Sequence, residues 1–321
     1  MRVKTKLDGG LRKILILFLF FFVYSKNLLG TQILDYETEY FLNEILEKII
    51  DVNQIKKKIK LKIIKNNQIN AFVDNQNVIY VNSGLIEYSQ DYVALVSVLA
   101  HEVGHIDLNH ISQRTEVVKK NNKYNNLALL SIIAGSSLSQ NAEILQSGIV
   151  SSAAIANQYI EFTKDQEMEA DLYSLKTLKT LNIYSTSIIK LLETIENQLL
   201  EKGFSKNKQR ISTHPYFEDR VLLLKNYENN KNFNLDYEYD TRFNFIKAKF
   251  IGYSNNKNLL DNLNEPYKTY AESIKTAKKG NLKMSLKNLN GIIKENKNSF
   301  LLETKADILF SYGYTNEAIK F

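Results

Sequence analysis

The sequence of this 321-residue chain predicts an α+β fold, mainly α, and three observations carry that expectation. Strand-type patterns are confined to one short stretch, from Ile59 to Val81. Helical spacing of apolar residues governs most of the remainder. Only two prolines interrupt it, and there is no low-complexity tract. The expected architecture is a helix-rich domain around a small antiparallel or mixed sheet, followed by α-helical repeats. The length suffices for one large domain or two smaller ones, each with a real core.

The N-terminal segment differs from the rest. MRVKTKLDGGLRK is basic, and an unbroken apolar run follows it, ILILFLFFFVY, from Ile14 to Tyr24. A basic head before about 7–15 apolar residues is the layout of a secretory signal peptide. A bilayer span needs roughly 20 apolar residues, and Ser25, Lys26 and Asn27 interrupt this run. Residues 1–30 are therefore expected to be a signal peptide that sends the chain to the periplasm. The alternative is an uncleaved segment anchored in the inner membrane. Arg2, Lys4, Lys6, Arg12, Lys13 and Lys26 against Asp8 give this segment a net +5, which leaves +2 of the formal +7 for the remainder. No nucleic-acid partner is expected from so small an excess. The chain has no cysteine. That excludes disulfides, thiolate metal sites, cysteine nucleophiles and a lipoprotein anchor, so any metal must be held by His, Asp or Glu.

Leu34 to Ile50 places Leu34, Tyr40, Phe41, Ile45 and Ile49 at helical spacing. KIKLKII alternates Ile59, Leu61 and Ile63 with lysines, which predicts a half-buried strand. INAFV and VIYV follow, separated by the turn-like DNQN, and predict a hairpin or adjacent strands. Ser89 and Asp91 are N-cap candidates for a long helix running through His110, with Val96, Leu99, Val103 and Ile106 as its buried stripe. Residues 127–156 are apolar and rich in small side chains, in runs too short to span a membrane; buried helices or a flap beside the substrate are expected. Helices fill most of the chain from about Ile160 onward. Near the end, Gly280 and Gly313 lie 33 residues apart, close to the 34-residue tetratricopeptide period. Ser285, Ala306, Leu309 and Ala318 fall at small or apolar positions of such helix pairs. Two unrelated helical hairpins are the alternative.

VLAHEVGHIDLNH, Val98 to His110, holds three of the four histidines. Residues four apart on a helix share a face, so His101 and His105 can hold one metal ion between them. Glu102 lies beside that face, placed to accept a proton. This H-E-x-x-H spacing supplies two ligands and a general base. His110, nine residues past His101, is about half a turn out of phase and is expected to face away as a surface or capping residue. FTKDQEMEADLYS, Phe162 to Ser174, offers a third ligand. Glu167 and Asp171 are four apart, one as ligand and the other holding a ligating imidazole from behind. Glu169 is expected to point about 160° away from Glu167.

NAFV, VNSGL, VLAHEVGHIDLNH, FTKDQEMEAD and STHPYFEDR, in this order, resemble the zinc metallopeptidases of the CAAX-prenyl-endopeptidase and HtpX type. The resemblance covers roughly Leu34 to Leu224 and is greatest to the exported BepA-like branch, which adds tetratricopeptide repeats. It implies a zincin-like metallopeptidase domain over 31–225 and a repeat region over 226–321. It also implies one Zn2+ per chain on His101, His105 and Glu167, with Glu102 as general base and Asp171 behind a ligand. Asn70 and Ala71 match the edge strand that binds an extended substrate by strand addition. His214 and Arg220 match a histidine and an arginine lining the cleft, either of which would stabilise an oxyanion. The implied activity is peptide-bond hydrolysis in misfolded or stalled envelope proteins. The implied partners are unfolded or misassembled envelope proteins, a protein held by the repeats, and the membrane surface as a peripheral contact. The rival reading is a chaperone-like scaffold or assembly factor with little turnover.

Overall fold

A computed structural model describes residues 31–121, 153–183, 186–201, 218–226, 236–296 and 298–321. The segment 1–30, nearly all of 127–156, and His214 lie outside the described residues.

A short strand, β1 (Gln32–Ile33), leads into helix α1 (Tyr36–Asn53). Asp35 caps α1 by accepting from the Thr38 amide at 2.9 Å, which satisfies one of the amides a helix start leaves open. Phe41, Leu42, Ile45, Leu46 and Ile49 form the buried face of α1. Leu34 and Tyr40, expected on that stripe, are 81% and 52% exposed. Leu34 precedes the cap and so stands outside the helix, and Tyr40 is turned about 100° from Phe41.

Three further strands, β2 (Lys60–Ile64), β3 (Ala71–Val73) and β4 (Val78–Asn82), complete a mixed sheet in the order β1-β2-β4-β3. β2 and β4 are parallel, while the other two pairs are antiparallel. The predicted hairpin is β3–β4. Asp74 accepts from the amides of Gln76 and Val78 in its turn, and Asn77 takes a left-handed φ of 59°. The two-residue period of a strand sends Ile63, Ala71, Val73, Ile79 and Val81 into the main core. Ile64, Phe72, Val78 and Tyr80 cluster on the other face.

Helix α2 (Ser83–Tyr88) ends at Ser89, and α3 (Tyr92–Asp107) starts from Asp91, whose side chain accepts from the Ala94 amide at 3.1 Å. The expected stripe of Val96, Leu99, Val103 and Ile106 is buried, and so are Val93, Leu95 and Ala100 on other faces. α3 is thus a core helix rather than a surface one. It stops at Asp107 instead of running through His110. Asn109 takes a φ of 60°, and Lys57 holds the turn through the Ile106 carbonyl (2.5 Å), the Asp107 carbonyl (3.2 Å) and Asn109 Oδ1 (2.8 Å). A cation at a helix C-terminus meets the free carbonyls there. Helix α4 (His110–Asn121) then begins on a new axis.

Helix α5 (Ala153–Thr180) lies against α3 at Gly104, where an added Cβ would stand 3.1 Å from the Tyr173 side chain. Helices α6 (Thr186–Glu201) and α7 (Glu218–Asn226) close over α5 with Leu175, Ile189, Leu192 and Leu224.

Six helices follow: α8 (Tyr237–Tyr253), α9 (Lys257–Asp261), α10 (Tyr267–Lys278), α11 (Leu282–Glu295), α12 (Ser299–Ser311) and α13 (Thr315–Ala318). Gly280 and Gly313 carry φ angles of 90° and 82° and turn α10 into α11 and α12 into α13. The 33-residue spacing therefore marks equivalent turns of two helix pairs. α8 belongs to two cores. Phe243, Ile246 and Phe250 enter the main one, whereas Phe245, Ala248 and Ile251 join Tyr270, Ile274, Leu289 and Ile308 in a second. On the same helix, buried Lys249 pairs with Asp35 at 2.8 Å and Glu37 at 2.7 Å. No helix among the described residues is long and apolar enough to cross a membrane.

Candidate metal centre

His101 and His105 project from one face of α3 with their Nε2 atoms 3.0 Å apart. Glu167, on α5, faces both: Oε2 lies 3.3 Å from His101 Nε2 and Oε1 lies 3.3 Å from His105 Nε2. All three side chains are buried, and their ligand atoms lie within 4.8 Å of one another. Behind this triad, His101 Nδ1 meets Asp171 Oδ1 at 2.9 Å. Arg220, from α7, grips Asp171 with Nε to Oδ2 at 2.6 Å and a second nitrogen to Oδ1 at 2.8 Å. Its third nitrogen stands 3.2 Å from Glu167 Oε2.

The donor set fits a metal ion. Asp171 is placed to accept the Nδ1 proton of His101, which leaves Nε2 as the atom that faces His105 and Glu167. Two imidazole nitrogens at that distance beside a buried carboxylate need a proton or a cation between them. Two His and one carboxylate are the ligands of an open hydrolytic site.

Burial disfavours protonation of His101, but Asp171 and Glu167 outweigh it and hold its pKa above the ordinary value. Burial dominates at His105, which sits well below the usual range despite Glu167. Burial of Asp171 is overcome by the Arg220 guanidinium and by His101, so its carboxyl is held below the ordinary value. Burial opposes the charge of Arg220, yet Asp171, Glu167 and Glu102 together keep it firmly protonated. Glu102 is thus close to this charge network and is itself buried on α3.

The structure brings His101, Glu102, His105, Glu167, Asp171 and Arg220 together. The guanidinium of Arg220 is engaged on the two carboxylates. Asn70 and Ala71 lie on the sheet edge: β3 is terminal in the strand order, Ala71 pairs with Val81, and the Asn70 carbonyl accepts from the Asn82 amide at 3.1 Å.

His110 corrects the sequence reading. It is 0% exposed, with Nδ1 2.8 Å from His105 Nδ1 and Nε2 3.0 Å from Glu169 Oε2. The expectation that it faces away assumed one continuous helix. The left-handed turn at Asn109 returns it beneath His105 instead. Glu169 does lie outside the cluster of His101, His105 and Glu167, and it is there that it meets His110. Arg114, on α4, was also missed. It reaches Glu167 Oε1 at 3.1 Å and donates from Nε to Gln166 Oε1 at 2.6 Å. Its spacing of four from His110 is the one sequence signal it offers, readable only once a helix is known to start at His110.

An H-E-x-x-H helix with a carboxylate brought in from a second helix is the arrangement of a metallopeptidase. The profile of peptidase family M48 matches residues 37–228, and the chain belongs to that family. The chain is similar to the "Beta-barrel assembly-enhancing protease" of Escherichia coli, at 25% identity over 296 residues, covering 88% of this chain and 60% of that protein. It is similar to the protein of the same name from Yersinia pestis, at 25% identity over 191 residues, covering 59% of this chain and 38% of that protein. The "Putative beta-barrel assembly-enhancing protease" of Vibrio cholerae is 25% identical over 189 residues, covering 56% of this chain and 38% of its own length. The chain thus spans at most 60% of the length of these curated relatives.

Proposed function

We propose that this chain is a zinc-dependent endopeptidase of the cell envelope that hydrolyses peptide bonds in misfolded or stalled envelope proteins. The observation that carries this reading is the convergence of His101 and His105 of α3 with Glu167 of α5, beside buried Glu102 on α3. The names of the relatives support β-barrel proteins of the outer membrane as clients. The basic head and apolar run of residues 1–30 support export to the periplasm.

His101, His105 and Glu167 would hold one zinc ion. When bound, zinc polarises the scissile carbonyl and lowers the pKa of water to about 7. Glu102 takes the proton of the attacking water and returns it to the leaving amine, work that contributes about 10²–10⁴-fold. Asp171 holds His101 from behind, and Arg220 holds Asp171, so the imidazole keeps its tautomer and plane. The β3 edge at Asn70 and Ala71 takes an extended substrate segment as an added strand. His214 completes this reading as the oxyanion donor. Helices α10 to α13 present stacked pairs that hold clients near the cleft.

Metal content and proteolysis of two variants test the assignment. His101→Ala is expected to lose zinc. Glu102→Gln is expected to keep zinc and lose at least about 100-fold in turnover. A His101→Ala variant with full zinc content refutes the ligand set, and an unimpaired Glu102→Gln variant refutes the base.

A further inference from the structure

We propose that His110 and Glu169 form an orienting relay that fixes the tautomer and ring plane of His105, as Asp171 and Arg220 do for His101. The inference rests on the metal-centre reading above and adds two positioning residues to it. The argument runs inward from the surface. Glu169 carries a 61% exposed carboxylate side chain, which accepts hydrogen bonds, and its Oε2 lies 3.0 Å from His110 Nε2. His110 Nε2 must therefore carry the proton. Two ring nitrogens at hydrogen-bond distance share one proton, and with His105 Nε2 turned to the Glu167 and His101 cluster the acceptor of the pair is His110 Nδ1. That acceptor lies 2.8 Å from His105 Nδ1. His105 Nδ1 must then be the donor, and its Nε2 is left with a bare lone pair directed at Glu167 and His101.

The ring geometry agrees with this order of donors. The His105 and His110 planes meet at 71° with centroids 5.0 Å apart, an edgewise approach that suits an N–H aimed at a lone pair. Local structure holds the relay in place. Asn109 reverses the chain, Lys57 grips Asn109 and the two preceding carbonyls, and His110 stands at the start of α4 with no exposure. Glu169 is two residues from Glu167 on α5, so one helix supplies Glu167 to the triad and, from a different face, the carboxylate that ends the relay. Each histidine of the triad is thus held by its Nδ1 from behind, one through a carboxylate and one through a second imidazole.

Partners behind a metal-binding histidine are commonly worth 10–100-fold in metal affinity. The test uses the full chain with 15N-labelled histidine, whose four rings give a countable long-range 1H–15N spectrum. In the metal-free wild type, His105 is expected to carry its proton on Nδ1 and His110 on Nε2. His110→Leu removes the acceptor: His105 is expected to shift toward the Nε2-protonated form, and zinc affinity by chelator competition to fall about 10–100-fold. His110→Gln, which restores an acceptor oxygen, is expected to recover part of both. Glu169→Ala alters an exposed side chain and is expected to leave the fold intact while freeing the His110 tautomer and lowering zinc affinity up to about tenfold. It therefore decides the matter even if His110→Leu fails to fold. A wild-type His105 protonated on Nε2 overturns the relay. So do Glu169→Ala and His110→Leu variants that match wild type in both tautomer and zinc affinity, and that outcome leaves the proposed function standing. A wild type that binds no zinc sinks the proposed function instead, while the tautomer spectra still decide the relay.

Discussion

Replacing Glu87 by glutamine should change the way stability depends on pH. Glu87 lies on α2, is 6% exposed, and faces the C-terminal end of α8 at Ser254. Burial pushes its carboxyl up from 4.5 to about 7, against a smaller opposing effect of the Ser254 hydroxyl. The folded protein therefore binds a proton between about pH 4.5 and 7 that the unfolded chain has released. Stability falls with rising pH wherever the native state binds more protons. The contribution of Glu87 is fully present below the unfolded value and is lost as pH rises through the folded one. The shift corresponds to about 3 kcal/mol. Glutamine keeps the shape and a hydrogen bond to Ser254 but does not ionise. In urea unfolding, wild type and Glu87→Gln should be nearly equal at about pH 4, and the variant should be more stable by about 2–3 kcal/mol at about pH 8. Parallel stability curves across that window, or a less stable variant at the upper end, refute the reasoning.

Arg220→Met should leave buried Asp171 without its guanidinium, and breaking such a pair costs about 3–5 kcal/mol in denaturant unfolding; a loss below about 1 kcal/mol would show that Arg220 does not hold the carboxylates. Gly84→Ala should destabilise by about 1–3 kcal/mol, because an added Cβ would stand 2.5 Å from the backbone of Asn67 and Gln68. Unfolding midpoints equal to wild type would show that the loop before β3 yields freely.

The parts of the fold and site that were legible in the sequence are those set by local period. Alternation found β2, and DNQN found the β3–β4 turn. The 3.6-residue period gave α3 its four core residues and put His101 and His105 on one side. The four-residue spacing of Glu167 and Asp171 put both carboxylates beside His101 for the same reason. What escaped depended on chain direction. A single left-handed residue, Asn109, breaks the helical phase, so His110 was expected on the wrong side and Arg114 was missed. Long-range pairings also carry no periodic signature. Arg220 meets Asp171 across 49 residues and Lys249 meets Asp35 across 214. The glycine spacing located the turns at Gly280 and Gly313, but the double allegiance of α8 was not legible, since an aromatic-rich helix buried on two sides has little amphipathic contrast.

That double allegiance sets what a truncation should do. A chain stopped after Lys225 keeps α3, α5 and α7 and with them His101, His105, Glu167, Asp171 and Arg220. It loses α8, whose Phe243, Ile246 and Phe250 are buried among Phe41 and its neighbours in the main core. Burying a large apolar side chain is worth about 1.5–3 kcal/mol, so three of them amount to roughly 5–9 kcal/mol. It also loses Lys249, leaving Asp35 and Glu37 without their shared cation. A native domain holds only about 5–15 kcal/mol in total. His101 and His105 sit on α3, which shares the main core with α8, so the cluster loses part of its support with the tail. The truncated chain is expected to unfold at much lower urea than the full chain, or to lose its cooperative transition, and to lose metal affinity along with its structure. Cooperative unfolding of the truncated chain at the full-length midpoint, with metal affinity unchanged, would show that residues 31–225 are self-sufficient and that α8 only rests on their surface.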